Sequence, residues 1–129
     1  MREIVSTDQA PAAIGPYSQA VRVAGSLVFT AGQIPLDPKS MEVVGVNAAE
    51  QCAQVMRNLQ GVLSAAGTSF SNVIKTTIYL KAMSDFAAVN EVYGKSFTDA
   101  PPARSTVAVA GLPKDVLVEI ECIALLPTG

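Results

Sequence analysis

The sequence predicts an α+β fold in which two helices pack on one face of a mixed six-stranded sheet. Two segments carry apolar residues at steps of three and four, which is the spacing of an amphipathic helix. Six shorter segments are alternating or continuously apolar and are bounded by turn-forming residues, as strands are. Their order along the chain is β-β-β-α-β-α-β-β, which predicts a two-layer sandwich.

Three strands come before the first helix. A short strand near residues 4–5 is followed by two candidates, residues 19–24 and 27–31. Gly25 and Ser26 separate these two, and glycine at the first turn position is typical of a type II′ turn, so we predict a hairpin. The second candidate opens with three consecutive apolar residues, which predicts a strand that is buried on both faces.

The two helices have recognisable boundaries. Residues 47–66 form the first, with Asn47 as N-cap, a glutamate three residues later as in a capping box, and Gly67 just after its end. Residues 85–97 form the second, with Ser84 as its cap. Two prolines shortly after the second helix prevent its continuation.

The remaining strands are predicted at residues 73–81, 104–109 and 116–125. In the first of these, period-two alternation places two sets of side chains on opposite faces: Ile74, Ile78 and Leu80 on one, and Lys75, Thr77, Tyr79 and Lys81 on the other. Hydrophobic residues make up 50% of the chain, more than a lone monomer of 129 residues needs. We therefore expect the sheet face opposite the helices to pack against sister subunits.

Composition excludes several classes of function. Nine scattered Lys and Arg residues and a net charge of −2 argue against nucleic acid as the main partner. The absence of histidine removes His-based triads and most zinc sites. The two cysteines, Cys52 and Cys122, form neither a disulfide framework nor a metal pattern and are predicted to be buried. No phosphate-cradling loop or other cofactor motif is present, so we expect no metal and no cofactor.

The ends and apolar runs of the sequence predict a cytoplasmic protein. The N-terminus has no apolar core followed by a small-residue cleavage site, as a secretory signal has. No apolar run reaches the ~20 residues that cross a bilayer. We therefore expect no membrane partner.

Glu119 and Glu121 lie in the apolar last strand, where alternation directs both to the same face. An unpaired carboxylate in apolar surroundings costs several kcal/mol unless something compensates for it. One interpretation is that the two glutamates lie at a sheet edge, or form an ion pair with Lys75 or Lys81. The other is a general acid or base in an apolar pocket.

Arg104 follows two prolines that favour an extended, pre-ordered backbone. A guanidinium presents a rigid fork that binds carboxylates through two hydrogen bonds. A surface arginine at the start of a strand explains the pattern equally well. Residue patterns alone assign no site to the small-residue loops around Tyr17 and Gly32, or to Asn90.

Five segments, taken together and in order, resemble the RidA/YjgF/YER057c/UK114 family. The likeness covers roughly residues 9 to 126 and is specific to the family because of the spacing between the segments. The segments are APAAIGPYSQAV (10–21), AGQIP (31–35), NEVY (90–93), PARS (102–105), and LPKD (112–115) followed by VEIE (118–121).

The resemblance implies a chorismate-mutase-like fold, a single RidA-like domain over residues 1–129, and a homotrimer with clefts between subunits. It implies hydrolysis of reactive 2-imino acids, such as 2-iminobutanoate and 2-iminopropanoate, to 2-oxo acids and ammonia. The family arginine that binds the substrate carboxylate falls on Arg104, and the glutamate that positions water falls on Glu119. The family's pocket tyrosine falls on Tyr17 and its helix asparagine on Asn90.

Two matched positions depart from the family pattern. Ala31, just before Gly32 of the matching loop, stands where many deaminating members have serine and so lacks a hydroxyl. Thr106 stands where many have cysteine, and the family role of that position involves the backbone carbonyl, which threonine still supplies. Ala31, Gly32 and Thr106 are thus expected to line the substrate site.

Other functions stay open at this point. Family members have been described as ribonucleases and translation inhibitors, which the net charge and the absence of histidine argue against. A non-catalytic trimer that binds small carboxylates, or a chaperone-like protein, is the main alternative. A chorismate mutase would need more cationic contacts than one well-placed arginine.

Overall fold

The computed structural model describes residues 1–127 and contains six strands and two α-helices, in the order that the sequence predicts. The elements are β1 (Arg2–Val5), β2 (Ala20–Val23), β3 (Leu27–Phe29), α1 (Ala48–Ala65), β4 (Val73–Leu80), α2 (Phe86–Gly94), β5 (Ala103–Ala108) and β6 (Val118–Leu125). The fold is α+β. The predicted single domain ends at Gly129, and its last two residues lie outside the described range.

The six strands divide into two sheets, so the prediction of one six-stranded sheet is wrong. β1 and β2 form a two-stranded antiparallel sheet, and the other four strands follow the order β3-β6-β4-β5. Within that second sheet β4 runs parallel to β5 and antiparallel to β6. The predicted hairpin is also wrong, because β2 pairs with β1 while β3 pairs with β6. Alternation of side chains specifies which face is buried but does not specify the partner strand.

Both boundaries of α1 follow from capping. The side chain of Asn47 accepts a hydrogen bond from the Glu50 N–H over 2.9 Å, and Gly67 adopts φ +87° just after α1, as predicted. The predicted cap of α2 is wrong. Ser84 lies inside a short 3-10 turn, and α2 starts two residues later without a side-chain cap.

The core lies between the helices and one face of the four-stranded sheet. Buried residues of α1 and α2 pack against those of β4 and β6; they include Cys52, Val55, Leu59, Leu63, Val89, Tyr93, Ile78, Leu80, Val118 and Ile120. A register shift between Val73 and Lys75 interrupts the pairing of β4 with β6. Because of this shift Val73 is buried, whereas Ile74, which was predicted on that face, is only half-buried.

The other face of the four-stranded sheet is exposed in the single chain and carries large apolar side chains. Phe29 is 68% exposed and Val107 is 45% exposed. The prediction that the strand beginning at Leu27 is buried on both faces is therefore wrong for one chain. Among the described residues no helix is both long and apolar enough to cross a membrane.

Candidate active site

The backbone around Arg104 is fixed by hydrogen bonds to the segment just before β5. Ser18 donates its N–H to the carbonyl of Pro102 over 3.0 Å and its hydroxyl to the carbonyl of Pro101. Arg2 donates to the carbonyl of Ala100 over 2.8 Å, and Ala100 has the left-handed φ of +45°. These contacts tie the N-terminal strands to the start of β5, so Arg104 extends from an ordered backbone.

The Arg104 guanidinium lies between one amide and three aromatic rings. Its Nη1 donates a hydrogen bond to Oδ1 of Asn90 on α2. Its central carbon is 5.3 Å from the ring centre of Tyr17, 5.6 Å from that of Phe86 and 5.2 Å from that of Tyr93. Contacts of this kind stabilise a cation without neutralising it.

No carboxylate of residues 1–127 forms an ion pair with Arg104, whose side chain is half-buried. Burial lowers the pKa of Arg104, and the nearby Tyr93 and Tyr17 hydroxyls oppose this effect in part. A cation that has lost water without gaining a counter-ion raises the free energy of the folded state. A bound anion would offset that cost, and a planar carboxylate fits the guanidinium best.

The loop before β2 covers one side of this cation. The Tyr17 N–H donates to the carbonyl of Gly15 over 2.8 Å, and the Ile14 N–H donates to the Tyr17 hydroxyl over 3.3 Å. A Cβ atom added at Gly15 would lie 3.4 Å from Nη2 of Arg104. The backbone at Gly15 is therefore within van der Waals reach of the guanidinium, with room for a Cβ atom between them.

Thr106 lies two residues after Arg104 on β5, and its side chain lies on the same face of the sheet. Its Oγ1 atom is inaccessible to solvent and has no hydrogen-bond partner within the described part of the chain. Buried polar atoms are usually paired, so an unpaired hydroxyl beside an unpaired cation calls for an explanation.

Glu119 lies at the start of β6, with its carboxylate against Gly32. A Cβ atom added at Gly32 would overlap Oε2 of Glu119. Only glycine therefore leaves room for this carboxylate in its present position. Ala31, the neighbouring residue, is exposed and follows β3 closely.

The seven predicted site residues form two groups on opposite faces of the sheet. Arg104 pairs with Thr76, and Thr76 pairs with Cys122, so these three share the face that the helices cover. Glu119 is three residues from Cys122 and therefore lies on the other face. Two strand spacings and three residues separate Glu119 from Arg104, which is about 10 Å across the sheet and about 10 Å along it. Tyr17, Asn90 and Thr106 belong with Arg104, whereas Ala31 and Gly32 belong with Glu119.

The ion pairs considered from the sequence are not the contacts observed. Lys81 pairs with Asp115 over 2.7 Å, and Lys75 donates to the hydroxyl of Ser105 over 3.1 Å. Glu121 instead accepts a hydrogen bond from the Tyr79 hydroxyl.

Sequence reasoning missed Phe86, Tyr93 and Ser18 as neighbours of the arginine segment. Phe86 and Tyr93 are seven residues apart, which places both on one apolar stripe of α2, and both pack on the core. The periodicity gave no signal that their rings also contact Arg104. Ser18 is next to Tyr17 in the matched segment 10–21, and this position is the only signal in the sequence that pointed to it; the structure buries it to 7% exposure.

Both cysteines are buried, as predicted. Burial raises the pKa of Cys52 to about 12 and also raises the pKa of Cys122. Neither thiol is therefore a nucleophile near neutral pH. No group of three or more His, Cys, Asp or Glu side chains in residues 1–127 is arranged to hold a metal ion.

Comparisons with known proteins agree with the fold and with the sequence resemblance. A RutC family protein of Synechocystis is 57% identical over 98% of both chains. Reactive Intermediate Deaminase A, chloroplastic, of Arabidopsis thaliana is 48% identical over 97% of this chain and 66% of its own length. The crystal structure of E. coli TdcF with bound serine superposes with a TM-score of 0.74 at 42% identity, covering 97% of this chain and 99% of TdcF.

A family model extends this similarity to nearly the whole sequence. The model described as Endoribonuclease L-PSP matches residues 7–126. The chain belongs to this family, the group that the sequence resemblance identifies as RidA/YjgF/YER057c/UK114.

Proposed function

We propose that the protein is an imine deaminase that hydrolyses reactive 2-imino acids, with 2-iminobutanoate and 2-iminopropanoate as substrates, to 2-oxo acids and ammonia. The observation that carries the proposal is the half-buried, unpaired Arg104 guanidinium, which is suited to bind an α-carboxylate. Two relatives support it. One bears the name Reactive Intermediate Deaminase A, and TdcF binds serine, a small molecule with an α-carboxylate.

In this proposal the substrate carboxylate binds to Arg104, whose orientation is set by the hydrogen bond to Asn90. Tyr17 closes one side of the pocket, and Thr106, on the same face of β5 as Arg104, offers its backbone carbonyl to the ligand. Fixing the carboxylate places the neighbouring imine carbon at a defined distance from the arginine.

Glu119 holds the attacking water and moves its protons. Water oxygen bonds to the imine carbon while Glu119 accepts a proton, which gives a carbinolamine. Glu119 then returns this proton to the nitrogen and accepts the remaining hydroxyl proton as the C–N bond breaks, so that the 2-oxo acid forms and ammonia leaves. Transfer of that last proton to ammonia gives ammonium and restores the carboxylate. A protonated imine is already electrophilic, and water is the only co-reactant, so the proposed reaction uses no cofactor.

A site that contains both Arg104 and Glu119 needs two chains, because the two side chains lie on opposite faces of one sheet. We therefore propose a homotrimer in which the exposed face around Phe29 and Val107 packs against a neighbouring subunit. In each cleft one chain supplies Arg104 and its neighbour supplies Glu119, Gly32 and Ala31. We further propose that residues 1–129 form one domain and that the protein is cytoplasmic.

The test is ammonia release from freshly generated 2-iminobutanoate. Arg104→Ala and Glu119→Ala should each abolish the acceleration. Arg22→Ala, an exposed arginine of β2 that pairs only with Glu3, is the matched control and should retain full activity. Full activity of Arg104→Ala or Glu119→Ala would exclude the assignment.

A non-catalytic carboxylate-binding trimer is the second candidate, since the unpaired Arg104 serves that role equally well. In that case the folded wild type would bind 2-oxobutanoate, lose this binding on Arg104→Ala, and release no ammonia. RNA cleavage that survives purification and disappears in a site variant would instead favour the ribonuclease suggested by the family description.

A further inference from the structure

Tyr79 lies on the exposed face of the sheet beside both glutamates of β6. It is directly opposite Glu119 in the pairing of β4 with β6. Its hydroxyl does not bind Glu119, however, but donates to Oε1 of Glu121 over 2.9 Å. The proposed mechanism gives no role to either Tyr79 or Glu121.

The two glutamates share one face and are about 7 Å apart along the strand. Their carboxylates lie on opposite sides of β6. That of Glu119 lies over Gly32, on the side of β3, and makes no side-chain hydrogen bond within residues 1–127. That of Glu121 is bound on the side of β4 by Tyr79. One carboxylate is therefore free and the other is occupied.

The hydroxyl of Tyr79 stays protonated and so remains a hydrogen-bond donor to Glu121. The hydrogen bond to Glu121 is the largest of the causes that raise the pKa of Tyr79, ahead of partial burial and the charges of Glu121 and Glu119. The phenol therefore keeps its proton at neutral pH, and Glu121 remains its acceptor.

We propose that Tyr79 is a positioning residue that differentiates the two glutamates: it holds Glu121 away from the substrate and leaves Glu119 as the only free carboxylate. Without this bond, Glu121 would compete with Glu119 for the water and for the protonated imine, only about two residues away on the same face. The inference rests on the proposed deaminase function.

The test compares wild type, Tyr79→Phe, Glu121→Gln and the double variant in the 2-iminobutanoate assay. Tyr79→Phe should lower kcat about 3- to 10-fold and change KM less than about twofold, since carboxylate binding at Arg104 is untouched. The double variant should be more active than Tyr79→Phe alone, because the released side chain is then neutral. Native mass spectrometry checks that each variant assembles as the wild type does, and the midpoint of urea unfolding checks that it is folded.

A readout without turnover accompanies the assay. In protein labelled with 13C at the tyrosine ring, the Tyr79 pKa should fall towards its ordinary value in Glu121→Gln, because the acceptor loses its charge; an unchanged pKa would show that Glu121 does not lie beside Tyr79 in solution. Unchanged kcat in Tyr79→Phe, or equal losses with and without Glu121→Gln, would overturn the inference while the deaminase stands. Absence of turnover in wild type would overturn the proposed function, and this inference with it.

Discussion

Arg104 and Glu119 point away from each other, on opposite faces of the same four-stranded sheet, with β4 between their strands. In the proposed function, one chain therefore carries two half-sites: Arg104 with its ring contacts, and Glu119 with Gly32. Completion of a site that uses both requires a second chain.

Two inactive variants should complement each other. Arg104→Ala and Glu119→Ala, unfolded together in equal amounts and refolded, should regain about a quarter of the wild-type rate, because one interface in four then joins an intact arginine to an intact glutamate. The measurement is ammonia release from 2-iminobutanoate, with mixed assemblies confirmed by native mass spectrometry.

The control for complementation mixes Arg104→Ala with Arg104→Lys, a pair in which no interface has an intact arginine. This pair should gain nothing on co-refolding. Confirmed mixed trimers of the first pair that remain inactive would show that the two half-sites do not meet between chains.

Two threonines whose hydroxyls are shielded from solvent should respond in opposite ways to replacement by valine. Thr106→Val removes an unpaired hydroxyl and should leave the free energy of unfolding unchanged or raise it by up to about 1 kcal/mol. Thr76→Val removes a hydroxyl bound to that of Tyr93 over 2.7 Å and should lower it by about 1–3 kcal/mol. Urea unfolding measures both. If Thr106→Val is more stable but binds 2-oxobutanoate more weakly, the hydroxyl contributes to ligand binding. If Thr106→Val loses as much stability as Thr76→Val, the hydroxyl has a hydrogen-bond partner within the fold.

Gly32→Ala should impair catalysis without unfolding the protein. Its new Cβ would occupy the position of the Glu119 carboxylate, which must then move, and a 1 Å displacement of a catalytic group can reduce the rate about 100-fold. Gly61→Ala, where a Cβ meets nothing within 4 Å, is the control and should stabilise α1 by up to about 1 kcal/mol. Gly32→Ala with wild-type kcat would show that Glu119 does not act from the observed position.

Alkaline pH should destabilise the fold through Cys52 and Tyr93, whose burial raises both pKa values to about 12. Their contribution is complete below the ordinary values of 9.0 and 10.0, and it falls as pH rises towards 12, because the unfolded chain then loses protons that the folded chain retains. The free energy of unfolding in urea should decline between pH 9 and 11, and Cys52→Ala should decline less steeply. An identical slope in the variant would remove the thiol as the cause.

The sequence was sufficient where local rules decide the outcome. The Asn47 cap, the apolar stripe and Gly67 predicted α1 closely because capping and periodicity act within a few residues. It failed for β2 and β3, where Gly25 indicated a tight hairpin but β6 proved to be the partner of β3. Partner choice depends on residues nearly 100 positions away, about which no local pattern carries information.

For the candidate site, too, local patterns predicted some features and missed those that depend on tertiary structure. The family resemblance located Arg104 and Glu119 in the sequence, and strand alternation correctly placed Glu119 and Glu121 on one face. Arg104 lies on the other face because of the register between β5, β4 and β6. This register cannot be read from local patterns, since α2 separates β4 from β5 in the sequence. The ring of Tyr93 beside the guanidinium is likewise a product of tertiary packing.

The contacts of Arg2 have a consequence for biosynthesis. Its guanidinium binds the carbonyls of Val73 and Ala100, which the ribosome adds 71 and 98 residues later. At synthesis rates of about 5–20 residues per second, Arg2 is synthesised about 5–20 s before Ala100. The contact that ties β1 to the segment before Arg104 therefore forms only after that segment has been synthesised, and before Val73 is added the N-terminal strand pair has neither of these carbonyl partners.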